Sequence, residues 1–390
     1  MRYRPDEKSG RELSALGFGC MRLPREAAAE KLVLRALELG VNYFDTAYAY
    51  PGNEELLGRI MARNGIREQM LIATKLPHNR VRSLQDATRF LETSLRHLQT
   101  DHVEYYLVHN MVSLREWERL EELGLGEWLQ ERKRAGQIGS VGFSSHGSHE
   151  EFMKLLDAYP WDMCQIQYNY ANEHYQAGRA GLEAAAERRI PVVIMEPLLG
   201  GRLAQGLPKK AAAVLAAVDA QASPASWAFK WLWDQPGVTC VLSGMNELSQ
   251  LEDNAAVAET SGVGFVTPVE RAALEAARDV LTESFRVPCT GCNYCMPCPK
   301  GINIPAAFTT YNNSYLLGWK TGVFGHVTSI GAQTSAPHLL ANCANCGKCA
   351  QACPQHIDIP ARLRDVRKRI EPAPVRVGVK VVSKLTHPNS

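Results

Sequence analysis

Eight of the chain's eleven cysteines fall in two short runs between residues 289 and 353. The first run is Cys289, Cys292, Cys295 and Cys298, followed by Pro299. The second is Cys343, Cys346, Cys349 and Cys353, followed by Pro354. Thiols at this density are there to bind something or to pair. Structural zinc takes its ligands as two separated pairs, whereas each run here offers four cysteines and then a proline. Disulfides need an oxidising compartment. The stretch Met1 to Gly10 is charged and shows no apolar leader, so the chain is expected to stay in the cytoplasm, where clustered thiols read as metal ligands. Four thiolates so placed can hold an iron–sulfur cube.

The second run has the spacing of the bacterial dicluster ferredoxins, which it resembles, and the first is one residue shorter at its last gap. In such domains the fourth cysteine of each run ligates the other cluster. That resemblance assigns Cys289, Cys292, Cys295 and Cys353 to one [4Fe–4S] cluster, and Cys343, Cys346, Cys349 and Cys298 to a second. A chain with two such clusters handles electrons singly.

At 390 residues there is room for a large domain and a small one. A net charge of +2 gives no case for a nucleic-acid or membrane partner, and no apolar run is long enough to span a bilayer. The cysteine content sets a boundary near residue 285, since only Cys20, Cys164 and Cys240 precede it. The expected organisation is a first domain over 1–285, a cluster domain over 286–370 and an extended tail over 371–390.

In the first domain short apolar runs alternate with longer amphipathic stretches. The runs are Leu13–Cys20, Tyr43–Asp45, Met70–Thr74, Val103–His109, Ile138–Phe143, Met163–Tyr168, Pro191–Met195 and Val238–Leu242. Helix-like stretches between them include Glu26–Leu39, Leu84–Leu98, Leu114–Arg134 and His149–Ala158. Strand then helix, repeated in this way, predicts an α/β fold of the (β/α)8 TIM-barrel class, followed by a small ferredoxin-like dicluster 4Fe–4S domain. A doubly wound sheet would carry a glycine-rich dinucleotide turn early in the chain, and none is present.

A barrel builds its active site where strands end. Asp45, Lys75, His109, Ser144, Ser145 and Gln165 fall at those points. Singly, each has a plain structural explanation, such as an N-cap for Asp45. Lys75 is the exception: a buried ammonium costs several kcal/mol unless paired, and it asks for Asp45. Cys20 ends the first strand and reads as a buried structural thiol. His146 and His149 lie at the mouth of the fifth strand, where they either meet substrate or serve the loop.

The segment Asn42-Tyr-Phe-Asp45-Thr-Ala-Tyr-Ala-Tyr50, then Asn53-Glu54-Glu55 and Gly58, resembles the aldo-keto reductase signature. Ala73-Thr-Lys75, Tyr106-Leu-Val-His109, Val141-Gly-Phe-Ser144 and Gln165-Ile-Gln-Tyr168-Asn169 extend the resemblance, which runs from about Ser14 to about Ala258. The cysteine appendage is similar to that of the iron–sulfur branch of the family. The resemblance implies a catalytic tetrad of Asp45, Tyr50, Lys75 and His109. Free tyrosine has a pKa of about 10, and an adjacent ammonium favours the phenolate, so Lys75 is expected to lower that of Tyr50. Tyr48 is the competitor for the role of proton donor, and the family spacing selects Tyr50.

The same resemblance implies a nicotinamide cofactor, NADP or NAD. Gly19, Ser144, Ser145, Gln165, Met195, Pro197 and Leu198 fall where the family holds the nicotinamide end. Ser243, Gly244, Met245, Gln250, Asp253 and Asn254 fall in the loop and helix that hold the adenosine phosphates. Met195 stands for an aromatic that stacks on the ring, Ser145 for an asparagine, and Gln250 for an arginine common in NADP-specific members.

Between the cysteine runs, Phe308, Tyr311, Tyr315, Leu316 and Trp319 have helical spacing, as a packing helix or as a cover for the active site. Arg362, Arg364, Arg367, Lys368 and Arg369 form a basic stretch, as a solvated face or as a dock for an acidic electron carrier. The expected function is an NAD(P)H-dependent carbonyl/alcohol oxidoreductase acting on a small molecule. Its clusters would relay single electrons to or from a ferredoxin or flavoprotein partner. The alternatives are a nucleotide-binding redox sensor, or an ordinary reductase with structural clusters.

Overall fold

The computed structural model describes residues 1–390 apart from 112, 148, 284, 285, 288, 290–294, 317, 331–336, 354–356 and 387–390. Cys292 lies outside the described residues. The chain forms two compact units, Met1–Gln205 with Leu215–Leu274, and Gly206–Val214 with Glu275–Ser390.

The first unit opens with a hairpin, β1 (Tyr3–Pro5) against β2 (Glu12–Ser14). Eight parallel strands then close a barrel: β3 (Leu16–Gly19), β4 (Tyr43–Asp45), β5 (Leu71–Leu76), β6 (Val103–Met111), β7 (Ile138–Ser145), β8 (Met163–Gln167), β9 (Val192–Met195) and β10 (Val238–Ser243), with β10 pairing back onto β3. Each coincides with a run read from the sequence. One buried cluster is formed by Leu13, Tyr43, Ala73, Tyr105, Leu107, Met163, Val193, Cys240 and Leu242. Tyr43 and Tyr105 lie with ring centroids 5.3 Å apart, so the barrel interior is a packed core.

The helices α1 (Glu26–Glu38), α2 (Asn53–Asn64) and α3 (Leu84–Leu98) follow β3, β4 and β5. Gly58 lets α2 approach α3 closely, since a Cβ there would collide with the backbone of His97 and Leu98. The stretch Leu114–Arg134, read as one helix, is two: α4 (Leu114–Glu121) and α5 (Leu125–Arg134). Gly124 breaks it by taking a left-handed conformation, with φ at +83°. The helices α6 (His149–Asp157), α7 (Gly178–Glu187), α8 (Lys209–Ala216), α9 (Pro224–Trp233), α10 (Leu248–Thr260) and α11 (Pro268–Glu283) follow.

The second unit takes in most of α8 and the latter part of α11, then α12 (Ile304–Leu316), α13 (Trp319–Ser329), the short α14 (Lys348–Gln351), α15 (Ile359–Ile370) and α16 (Ala373–Thr386). Its core gathers Val287, Ile302, Ile304, Phe308, Tyr311, Leu340, Leu363 and Val366 among others. Cys289, Cys295, Cys298, Cys343, Cys349 and Cys353 pack against that core. Buried Glu371 ties the approach to the second cysteine run: it accepts from Leu340 N at 2.7 Å and Ala341 N at 3.1 Å, and contacts His326 Nε2 at 3.0 Å. The expected extended tail is instead the helix α16. Val375 and Val379, four residues apart, pack with Ile330 and Leu339, and Pro374 sits in its first turn, where a missing N–H costs nothing. Among the described residues no helix is long and apolar enough to cross a membrane.

Candidate functional sites

At the rim of the barrel, strand register sets the expected catalytic side chains side by side. Asp45 ends β4 and pairs in register with Ala73, two residues before Lys75. Lys75 Nζ lies 2.6 Å from Asp45 Oδ1 and donates to Thr46 O at 2.7 Å. Lys75 and Asp45 are 1% and 3% exposed, so this pair is shielded from salt and water. Burial works against the Lys75 charge, yet Asp45 and Tyr50 outweigh it and hold the ammonium above its ordinary value. Burial pushes the Asp45 carboxyl up, with Lys75 pulling against it.

Tyr50 lies in the turn between β4 and α2. Its ring centroid is 5.5 Å from Lys75 Nζ and 6.0 Å from that of His109, edge to face. Tyr48 turns away and packs edge-on to Phe90 of α3 at 4.8 Å. The geometry thus sets Tyr50, the tyrosine that the family spacing selects, beside Lys75 and His109, and Tyr48 against α3. Lys75 exerts the strongest single pull on the Tyr50 phenol, downward, as expected from the sequence. Burial, Asp45 and Cys20 together outweigh it, and the net shift is upward. The sequence does not display that burial.

His109 is re-aimed by an irregularity in β6. The pairing with β7 shifts between Val108 and Met111, and Asn110 takes a φ of +58°. Such irregularities commonly redirect side chains beside active sites. Asn110 N donates to Ser144 Oγ at 2.7 Å, and His78 Nδ1 lies 2.5 Å from His109 O. Burial, with Lys75, His78 and His146 nearby, lowers the His109 imidazole to about 3, so it is neutral at ordinary pH. His78 carried no signal in the sequence.

Ser144 sits opposite Gln165 in the β7–β8 register. Among the described residues, Gln165 Oε1 and both side-chain polar atoms of Gln167 are buried without a hydrogen-bond partner. Ser145 Oγ accepts from Gly147 N at 3.1 Å. Met195 ends β9 and is half-buried; after it Glu196 takes a φ of +53°, ahead of Pro197 and Leu198. A Cβ on Gly19 would sit 3.4 Å from Ser243 O and 3.6 Å from Gly244 N, so the ends of β3 and β10 meet at this rim.

Beyond β10, Asn254 Nδ2 donates to Ser243 Oγ at 3.2 Å, and Gln250 Oε1 accepts from Asn246 N at 3.1 Å. Met245 is buried. Asp253 belongs elsewhere: its carboxylate accepts from Ser223 Oγ and Ser226 Oγ at the start of α9. Arg22, an exposed residue that the sequence reading passed over, lays its stem against Gly244, with Cδ 3.8 Å from where a Cβ would stand. Cys20 is fully buried and its thiol is pushed up by that burial. His146 and His149 contact Gln176 Oε1 and Ala177 O, each at 3.1 Å.

In the second unit a cavity of 460 Å³ is lined by Cys298, Cys343, Cys346 and Cys349, with Cys295 also at its wall. The first four are the crossed ligand set read from the sequence. None of the ten described cysteines is in a disulfide. Among the described residues no three candidate ligands converge as a single metal ion requires. A cube binds each thiolate through a different iron and needs no such convergence. Cys289 and Cys353 pack on the core nearby.

Residues 15–262 match the Aldo/keto reductase family, and residues 288–357 match the 4Fe-4S dicluster domain. Over 305 residues the chain is 26% identical to the uncharacterized oxidoreductase YrpG of Bacillus subtilis, covering 67% of this chain and 92% of that protein. It is 27% identical over 218 residues to the aldo-keto reductase yakc [NADP(+)] of Schizosaccharomyces pombe, covering 51% of this chain and 62% of that one. The aldo-keto reductase AKR11C1 of Bacillus halodurans in its holo form shares the fold at a TM-score of 0.61 and 24% identity, over 71% of this chain and 96% of that one.

Proposed function

The chain belongs to the aldo/keto reductase family and carries a C-terminal 4Fe-4S dicluster domain, and from that premise we propose that the barrel interconverts a small carbonyl compound and its alcohol with NAD(P)H at Asp45, Tyr50, Lys75 and His109. The observation that carries this reading is the buried 2.6 Å contact of Lys75 with Asp45, beside the rings of Tyr50 and His109. The cysteine unit relays single electrons to or from a partner protein.

The polar groups fit a nicotinamide. Gln165 Oε1 is a buried acceptor without a donor among the described residues, which an amide N–H would satisfy. Ser144 Oγ already accepts from Asn110 N, so its own proton is available to an amide carbonyl. When bound, the reduced nicotinamide supplies hydride to the carbonyl carbon. Negative charge then grows on the substrate oxygen. The upward shift of Tyr50 keeps its proton in place at neutral pH, ready to pass to that oxygen. Lys75 stabilises the phenolate that remains, and Asp45 holds Lys75 charged. Neutral His109 keeps one ring N–H to donate to the carbonyl oxygen and orient it. Acid–base help of this kind is typically worth about 10²–10⁴-fold in rate.

Thiols from both runs, outside any disulfide and gathered at one cavity, fit a [4Fe–4S] cube. Cys298, Cys343, Cys346 and Cys349 would hold it, and the cube supplies one-electron storage. Cys289, Cys295 and Cys353, with Cys292, would serve a second.

Replacement of Tyr50 tests the barrel reading. Tyr50→Phe is expected to abolish carbonyl reduction while nucleotide binding, followed by fluorescence titration, persists. Tyr48→Phe is expected to leave turnover close to wild type. Full turnover by Tyr50→Phe would remove this tyrosine from the mechanism.

A further inference from the structure

Charge is divided unevenly along this chain. Residues 286–390 hold twelve Lys and Arg against three Asp and Glu, whereas residues 1–285 hold 31 against 38. Part of the surplus borders the cysteine cavity. Lys300 and Lys348 line it, and α15 contributes Pro360 and Leu363 to its wall. On the same helix Arg364 Nη1 donates to Asn345 Oδ1 at 3.2 Å, one residue before Cys346. Arg367 and Lys368 follow within one turn and are exposed. The two carboxylates of this helix are engaged: Asp358 caps its first turn through Ala361 N, and Asp365 meets Arg362 at 3.4 Å. Among the ten described cysteines Cys346 alone is exposed.

We propose that this rim is the docking surface for a small acidic one-electron carrier protein of the ferredoxin or flavodoxin kind. The proposal rests on the reading that a cluster occupies the cavity. Two independent properties coincide at one place. The first is a local field that attracts negative charge. The second is the only exposed thiol of the described set, through which a docked redox centre gains its nearest approach. A nucleic acid would use the field but gain nothing from the thiol. The acidic surplus of the remaining chain repels the same carrier, so complementarity steers the encounter toward the rim. Rim charges of this kind act mainly on association rate and salt dependence.

The test uses the full chain, loaded with iron under anaerobic conditions, and a plant-type [2Fe–2S] ferredoxin as the acidic probe. Association rates are measured over a series of salt concentrations. The variant Arg364→Glu/Arg367→Glu/Lys368→Glu is expected to associate at least about tenfold more slowly at low salt, with a flatter salt dependence and unchanged iron content. Lys380→Glu/Lys384→Glu on α16 is expected to associate as wild type. An iron-loaded triple variant that associates at the wild-type rate overturns the proposal. So does an equal loss in the α16 variant, which would mean a diffuse field. A duplex oligonucleotide that displaces the ferredoxin at equal charge would make the rim a nucleic-acid surface and overturn it too. A chain that takes up no iron fails together with the cluster reading, whereas a loaded chain that does not bind fails on docking alone.

Discussion

Lys75 and Asp45 form an ion pair at 2.6 Å that is almost wholly shut off from solvent, at the seam between β4 and β5. Such a pair contributes little to stability against an apolar replacement, but breaking it by removing one partner leaves a buried charge and costs about 3–5 kcal/mol. Asp45→Asn is therefore expected to lower the unfolding free energy by an amount of that order. Asp45→Asn/Lys75→Met should recover most of it while remaining inactive. Urea unfolding followed by the barrel's tryptophan fluorescence checks both. A double variant no more stable than Asp45→Asn would mean that the two groups are not coupled.

The eight barrel strands were legible because each is a short apolar run bounded by polar turns, and the rim residues followed from where those runs stop. The hairpin of Tyr3–Pro5 and Glu12–Ser14 was not, since each strand is only three residues long, too short for a period of two to show. A lone glycine, Gly124, split a helix that periodicity ran together. Arg22 was missed because one arginine after a strand carries no pattern until the fold brings it against Gly244. The direction of the Tyr50 shift needed burial, which no spacing reveals.

His109 titrates at about 3 in the folded chain, far below the ordinary value near 6.5. Carbonyl reduction is expected to show no acid limb between about pH 5 and pH 8, because the imidazole stays neutral throughout. Alcohol oxidation should instead climb toward high pH, since it needs the Tyr50 phenolate and that group is shifted upward. Stability follows the same group with a definite sign. Below about pH 6.5 the unfolded chain takes up a proton at His109 that the folded chain does not. Its contribution is full above that pH and is lost as pH falls toward 3. A rate profile for kcat/KM with a limb near pH 6.5 would show that His109 titrates in the working range.

The cysteine unit is expected to carry about eight iron and eight sulfide per chain when prepared without oxygen, as two cubes. Cys346→Ser should leave about four, with the cube of the first run retained, because only one cavity loses a ligand. Iron and sulfide analysis with electron paramagnetic resonance reads this directly. Stoichiometric zinc without a visible absorption band would replace clusters by structural metal.

Nucleotide preference is where the loop after β10 leaves its own mark. Gln250 is spent on closing the loop through Asn246 N, and Gly244 has no side chain, so neither gives a cation to a 2′-phosphate. A hydrogen bond to a charged group is worth about 1.5–3 kcal/mol, or roughly 10- to 150-fold in affinity. Dissociation constants for NADP and NAD are therefore expected within about tenfold of each other, and Gln250→Arg should shift the balance to NADP by at least about tenfold. Titration of both proteins with both nucleotides settles it. A hundredfold preference for NADP in the wild type would instead make Arg22 the phosphate partner, since its stem already rests on Gly244, and Arg22→Ala would then abolish that preference.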